Sequence, residues 1–322
     1  MSNRIFSHPL FLALTATLLI AGLFYLPYLA VRSKTIDNFR GQQVILARQA
    51  ASDLYTQFAT VEKALVTFSQ EPSIQQLDDS GQTLLRDFLA SHPEDVDAIQ
   101  RLDHNGAPLF AHPQGFDPAA ASHCNQLGVH NTAVLSEPEH TDWSATRVFL
   151  TMPIQRGEQR EGCLSFTLPA HRMAQHALQR LLLPHETQAV LLSQSGRIIQ
   201  APDEALIGHD FKALRGEAIE LGLIQETVLL SESAMIRLSR SPLPNTAMPP
   251  QPTYAVLFPV QFAGGQSWSL LMLTPAQEVL GAMAEFRSQW LLVTGVAMLA
   301  VGLLSFFLCG VITSRREEQR LR

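Results

Sequence analysis

Ala98-Ile99-Gln100-Arg101-Leu102-Asp103-His104-Asn105-Gly106-Ala107-Pro108-Leu109-Phe110-Ala111-His112-Pro113 reads as strand, polar turn, strand and closing proline. Asn105-Gly106 is a strong two-residue hairpin signal, because both residues tolerate positive φ. The pattern returns later as Ala189-Val190-Leu191-Leu192-Ser193-Gln194-Ser195-Gly196-Arg197-Ile198-Ile199-Gln200-Ala201-Pro202, with Ser195-Gly196 as a weaker turn. Each hairpin is followed by a matched closing pair. Val148-Phe149-Leu150-Thr151-Met152-Pro153-Ile154-Gln155 leads through a turn into Cys163-Leu164-Ser165-Phe166-Thr167-Leu168-Pro169. Val256-Leu257-Phe258-Pro259-Val260-Gln261 leads through Gly264-Gly265 into Trp268-Ser269-Leu270-Leu271-Met272-Leu273-Thr274-Pro275. Pro153 and Pro169 stand 16 residues apart, and so do Pro259 and Pro275. Two matched motifs in the same order predict a duplicated antiparallel-sheet unit. Neither Pro153 nor Pro259 can donate to a ladder, so each is expected at an edge or a bulge.

Helical patterns surround these units. Ile36, Phe39, Leu46, Ala50, Leu54, Phe58, Val61, Leu65 and Phe68 recur at spacings of three, four or seven, which predicts a long stalk helix ended by Pro72. At about 1.5 Å per residue it runs roughly 55 Å. Its stripe suits either a partner stalk in a parallel homodimer or the chain's own two sheets. Leu77, Leu84, Leu85, Phe88 and Leu89 form a second amphipathic pattern before the first strand. Ala276 to Ser288 reads as a short helix.

Leu10 to Val31 and Trp290 to Ile312 are charge-free runs of 22 and 23 residues. Each is long enough to span a bilayer as helix. Arg315, Arg316, Arg320 and Arg322 flank the second run, which places both ends inside and the large loop outside. The first run is too long for a typical signal-peptide core and is expected to remain as an anchor. The organisation is then a tail over 1–9, a span over 10–31, a stalk over 32–72, a membrane-distal unit over 73–184, a membrane-proximal unit over 185–288, a span over 289–312 and a tail over 313–322. Ten residues after Ile312 leave no room for a catalytic domain, so an input module without its own output is expected.

The loop Arg32 to Ser288 holds 18 Lys and Arg against 27 Asp and Glu, a net charge of −9. That disfavours nucleic acid as a partner. Of three cysteines, Cys124 and Cys163 lie in the loop, where oxidation is permitted. A bridge would close about 40 residues; two buried free thiols are the simpler reading. His104, His112, His123, His130 and His140 cluster near Cys124, but without a recognised ligand spacing. No metal or cofactor is expected. No nucleophile elbow, phosphate loop or zinc-protease motif is present, and no enzymatic activity is expected.

An anchor, a stalk helix, two tandem PAS-like sheet units and a closing helix into a second anchor resemble the double Cache sensor domain. The resemblance covers about Ile36 to Phe286. Its carriers are Leu102 to Gly106, the second hairpin through Ile207-Gly208, Met152-Pro153-Ile154 with Gly162, and Trp268 to Pro275. It implies an α+β fold, a bacterial inner-membrane location with a periplasmic domain, and a small-molecule ligand in the membrane-distal unit. It also implies service to a histidine kinase, diguanylate cyclase or chemoreceptor. Amino-acid-binding members carry closely spaced Arg, Trp and Tyr with a later Asp. Here Asp142-Trp143-Ser144-Ala145-Thr146-Arg147 has a different order and no Tyr, so that specificity does not carry over.

Arg147 opens an apolar strand whose alternation puts Arg147, Phe149 and Thr151 on one face. Arg147 could clamp a ligand carboxylate, with Trp143 stacking on the ligand and Asp142 accepting from its amine. Phe149 and Ser165 would line the same pocket. The alternatives are a surface-paired Arg147 and a solvent-facing Cys163, Ser165 and Thr167. The function expected is ligand sensing for a signalling output in the same protein or in a separate partner. An anchored scaffold or assembly protein is the alternative.

Overall fold

The computed structural model describes residues 7–113, 118–127, 132–140, 146–156, 159–179, 187–214, 218–243 and 251–321. The chain forms two compact units, one of Met1–Phe39 with Gln277–Arg322 and one of Arg40–Ala276.

In the larger unit, helix α1 (Ser7–Gln70) contributes its C-terminal part, followed by α2 (Pro72–Gln76) and α3 (Asp79–Ser91). Pro72 sits at the first position of α2, where its missing N–H costs nothing. Asp78 caps α3 by accepting from the Gly81 amide at 2.8 Å. Strands β1 (Ala98–Asp103) and β2 (Pro108–His112) form the first hairpin, followed by α4 (Pro118–Gln126) and the two-residue strands β3 (Val134–Leu135) and β4 (Glu139–His140). Strands β5 (Thr146–Arg156) and β6 (Gln159–Leu168) complete the first sheet, and α5 (Ala170–Gln179) leaves it. The second sheet holds β7 (Gln188–Leu192), β8 (Ile198–Gln200), β9 (Ala234–Leu238), β10 (Thr253–Gln261) and β11 (Ser267–Pro275), with α6 (Ala218–Leu229) before β9.

Both sheets are antiparallel and repeat one topology. The first runs β2-β1-β6-β5-β3, with β4 also paired to β5, and the second runs β8-β7-β11-β10-β9. The hairpins stand where the sequence places them. Gly106 has φ 82° and Gly196 φ 87°, the left-handed conformation that glycine adopts without penalty. The Asp103 carboxylate accepts from the Asn105 amide at 2.8 Å and the Ala107 amide at 2.7 Å. These amides, Ala107 foremost, hold its carboxyl below the usual carboxylate range.

The two closing pairs share even their register. Pro153 faces Cys163 and Pro259 faces Ser269. Each proline lies beyond the reach of the outer neighbour. β3 pairs β5 only at Leu150 and Thr151, and β9 pairs β10 only up to Leu257. Both positions are therefore local edges, as the missing N–H requires.

One apolar core joins both sheets to α1. Ala47, Ala50, Leu54, Phe58, Val61 and Leu65 meet Ile99, Leu150, Leu164 and Phe166 of the first sheet and Leu191, Val256, Trp268 and Leu270 of the second. Phe68 and Phe88 pack on Phe166, while Phe58 lies 5.0 Å from Trp268 and 4.9 Å from Phe262. The stalk stripe is thus taken up by the chain's own sheets. Ile45 and Tyr55 remain exposed on α1.

Helices α4, α5 and α6 and strand β9 are additions to the sequence-based expectation. In the smaller unit, α7 (Ala276–Leu321) is one continuous helix. Phe286–Phe307 within it is, among the described residues, the stretch long and apolar enough to cross a membrane. Phe286 and Trp290 stack at 5.3 Å. Leu10 to Val31 is helical within α1.

Gly162 combines φ 141° with a backbone approach that leaves no room for a Cβ, which would sit 2.0 Å from the Leu102 carbonyl oxygen. Gly162→Ala must move β6 away from β1, and we expect a loss of about 3 kcal/mol or more, read as a lowered unfolding temperature. His171, half-buried at the start of α5, is held below the ordinary histidine range by burial and then by the Arg172 charge. The unfolded chain therefore takes up that proton first as pH falls below about 6.5. Stability should fall as pH drops through about 6.5, and His171→Gln should flatten that part of a Tm-versus-pH curve.

Candidate functional site

Each sheet turns one face to α1 and one away, and the outward faces differ in chemistry. In the first sheet, Gln100 of β1 faces Ser165 of β6, which faces Thr151 of β5. Thr167 faces Phe149, and Arg147 lies two residues further along β5 on the same side. In the second sheet the same register positions, counted from the paired prolines, are Val190, Leu271 and Leu257, with Leu273 in place of Thr167.

These second-sheet residues belong to an apolar core closed by Leu221, Ile224 and Val228 of α6. The first-sheet row is equally buried but polar. Gln100 is 1 % exposed and Ser165 0 %, and Thr151 and Thr167 are buried too. The Thr151 and Ser165 hydroxyl oxygens lie 3.0 Å apart. The Gln100 side chain has no hydrogen-bond partner for Nε2 or Oε1 among the described residues, nor has Thr167 Oγ1. A buried polar group left unpaired typically costs about 1–3 kcal/mol. Gln100 and Thr167 are among several buried residues that carry this cost, and here it falls beside the Thr151–Ser165 hydroxyl pair.

Helix α4 packs on this face beside the polar row. Ala120, Cys124 and Leu127 form a cluster with Leu102, Phe149 and Cys163. Cys124 and Cys163 are joined by a disulfide, Cα to Cα 6.0 Å, so the free-thiol reading of the sequence is wrong. The bond ties α4 to β6, and no spacing rule could have settled it from two cysteines alone. Arg160 reinforces the tie. Its guanidinium donates to the Cys124 carbonyl and, at 3.2 Å, to the Leu127 carbonyl. A cation suits the negative end of a helix and its unpaired carbonyls. On the other side His123 Nε2 lies 2.9 Å from Glu139 Oε1, and its ring lies 5.3 Å from Phe149.

Of the residues singled out from the sequence, Arg147, Phe149 and Ser165 share this face. Arg147 is half-buried opposite Glu139 of β4. Phe149 is fully buried against the α4 cluster. Asp142 and Trp143 lie outside the described residues. Cys163, Ser165 and Thr167 are buried, which removes the solvent-face alternative. Gln100 was not anticipated; its only signal is a polar pair, Gln100-Arg101, set between the apolar Ile99 and Leu102. Among the described residues no three His, Cys, Asp or Glu side chains converge as metal ligands.

No family model and no curated protein sequence matches the chain. Solved structures do. The extracellular ligand binding receptor from Desulfohalobium retbaense matches over 72 % of this chain with TM-score 0.54 and 13 % identity, and the chain spans 40 % of that longer protein. The ligand binding domain of the Pseudomonas aeruginosa amino acid chemoreceptor PctB, in complex with L-Gln, matches over 77 % of this chain and 96 % of its own, with TM-score 0.56 and 14 % identity. The extracellular domain of the putative histidine kinase mmHK1S-Z3 matches over 77 % and 98 %, with TM-score 0.54 and 16 % identity. The fold is that of double-Cache-type sensor domains.

Loss of the disulfide should loosen α4 from the sheet. For a loop of about 40 residues the expected loss is roughly 3–4 kcal/mol. Thermal unfolding of Cys124→Ser with Cys163→Ser, against the parent chain with and without reductant, measures it. The parent should drop to the double variant's Tm only when reduced.

Proposed function

We propose that the chain is the small-molecule-sensing input of a two-pass membrane receptor of the chemoreceptor, histidine kinase or diguanylate cyclase type. The large unit lies outside the cytoplasm and the ligand binds on the outward face of the first sheet. The observation that carries this reading is the buried polar row Gln100, Ser165, Thr151 and Thr167, set against the apolar Val190, Leu271, Leu257 and Leu273 at the same positions of the second sheet. A face whose only task is stability resembles the second sheet. A face that binds must keep polar groups free of the fold and hold them in place.

In this reading Arg147 serves as a charge and hydrogen-bond donor, Phe149 and Ser165 line the wall, Trp143 would stack on the ligand and Asp142 would accept from its amine. Helix α1 carries the first apolar run and the stripe of the sheet core within one helix, and α7, which carries the second run, follows β11 directly. A change at the site therefore needs only a small shift of one helix against the other to cross the bilayer. The neighbouring folds, drawn from chemoreceptor and kinase ligand-binding domains, support the sensing class.

The test is thermal unfolding of the whole chain in detergent against carboxylates, amino acids, amines, sugars and divalent metals with a chelator control. A ligand at about 100 times its Kd adds about 2.7 kcal/mol, or roughly 5–10 °C here. The expected result is a hit weakened about tenfold or more by Arg147→Ala. A stable chain that no compound shifts, or a hit indifferent to substitutions on this face, overturns the reading in favour of a scaffold.

A further inference from the structure

Within the polar row on the first sheet, Gln100 and Thr167 have buried atoms without a hydrogen-bond partner among the described residues, and the row itself carries no charge. Gln100 brings a carboxamide, and Ser165, Thr151 and Thr167 bring hydroxyls. Among the described residues, the formal charges on this side belong to side chains outside the row, Arg147 at the start of β5, Arg160 against α4 and Glu139 beside His123. A carboxylate or ammonium pressed onto the row would lose its hydration and gain only neutral dipoles, which is costly. A group that both donates and accepts suits the row. A carboxamide can form two hydrogen bonds with the Gln100 amide at once, and a hydroxyl can join the Thr151–Ser165 pair, which lies 3.0 Å apart. A site built around buried polar groups also rejects strongly the analogue that leaves them unpaired.

We infer that Gln100 determines specificity at this face, and that the ligand presents to it an uncharged carboxamide or polyol end. The inference rests on the sensing reading above and adds the ligand's chemistry. Any charge the ligand carries lies at its other end, toward Arg147.

Gln100 and leucine are nearly the same volume, which gives the test two independent readouts. Gln100→Leu removes two unpaired buried polar atoms, so the unliganded chain should melt higher than the parent. The same variant should lose the ligand. The whole chain in lipid nanodiscs is titrated with propionamide, glycerol and myo-inositol, and with propionate and propylammonium as charged counterparts. Expected are stabilisation by a neutral probe, a loss of about tenfold or more in its affinity in Gln100→Leu, and a raised Tm for that variant without probe. A neutral probe bound equally well by Gln100→Leu overturns the inference. So does binding confined to propionate or propylammonium and lost in Arg147→Ala, although the sensing reading then stands. If neither class binds and Gln100→Leu melts lower than the parent, Gln100 is a structural residue and both readings fall.

Discussion

Everything in the larger unit depends on one apolar stripe of α1. Each sheet has an inward face of Leu, Ile, Val and Phe, and neither sheet supplies a second layer of its own large enough to bury it. Ala47 to Leu65 provide that layer for both. Small residues at Ala47 and Ala50 let the helix approach closely, and Phe58 fits against Phe262 and Trp268. Because one helix closes a core shared by both sheets, displacement of the helix along its axis is felt in both sheets together. Close-packed interiors resist partial accommodation, so such a helix tends to sit in one of a few discrete positions.

With both inward faces committed to α1, the two sheets are free to differ only on the outside. The second sheet uses α6 to make an ordinary apolar layer, with Leu221, Ile224 and Val228 over Val190, Leu257 and Leu271. The first sheet uses the shorter α4, which packs from Leu102 and Cys163 at one end to Phe149 at the other and is held there by a covalent bond and by Arg160. A nine-residue helix with little apolar surface could not hold its place by packing alone. The disulfide allows the cover to be small, and beside it Gln100 and Thr167 keep buried polar atoms that no other described residue pairs.

Much of this was legible in the sequence. The hairpins were readable because glycine at positive φ and proline at a strand's local edge are steric demands that no other residue meets as well. The stalk was readable because its stripe keeps one period for more than thirty residues. Other elements lacked such marks. Helix α4 is Pro-Ala-Ala-Ala-Ser-His-Cys-Asn-Gln, with no apolar period to read. Helix α6 carries Ile219, Leu221, Leu223 and Ile224 around its whole circumference, which hides the period. Strand β9 is five residues long. Gln100 was hidden for a different reason. A polar residue in a strand ordinarily points to solvent, and only the three-dimensional neighbours reveal that Gln100 and the adjacent Arg101 are both buried. The duplication held the missing clue, since alignment of the two hairpins on Gly106 and Gly196 sets Gln100 opposite Val190.

The shared helix also governs the order in which the molecule can be completed. α1 leaves the ribosome first, while β10 and β11, which bury Phe58, come nearly two hundred residues later. During synthesis the stripe must remain uncovered, then accept the first sheet, and wait again for the second. Contacts between such distant segments close slowly, and the exposed stripe is vulnerable to association with other chains in the interval. In the two-pass reading proposed above, a helix tethered early beside the membrane would be sheltered from some of that traffic, so the anchor would serve biogenesis as well as sensing.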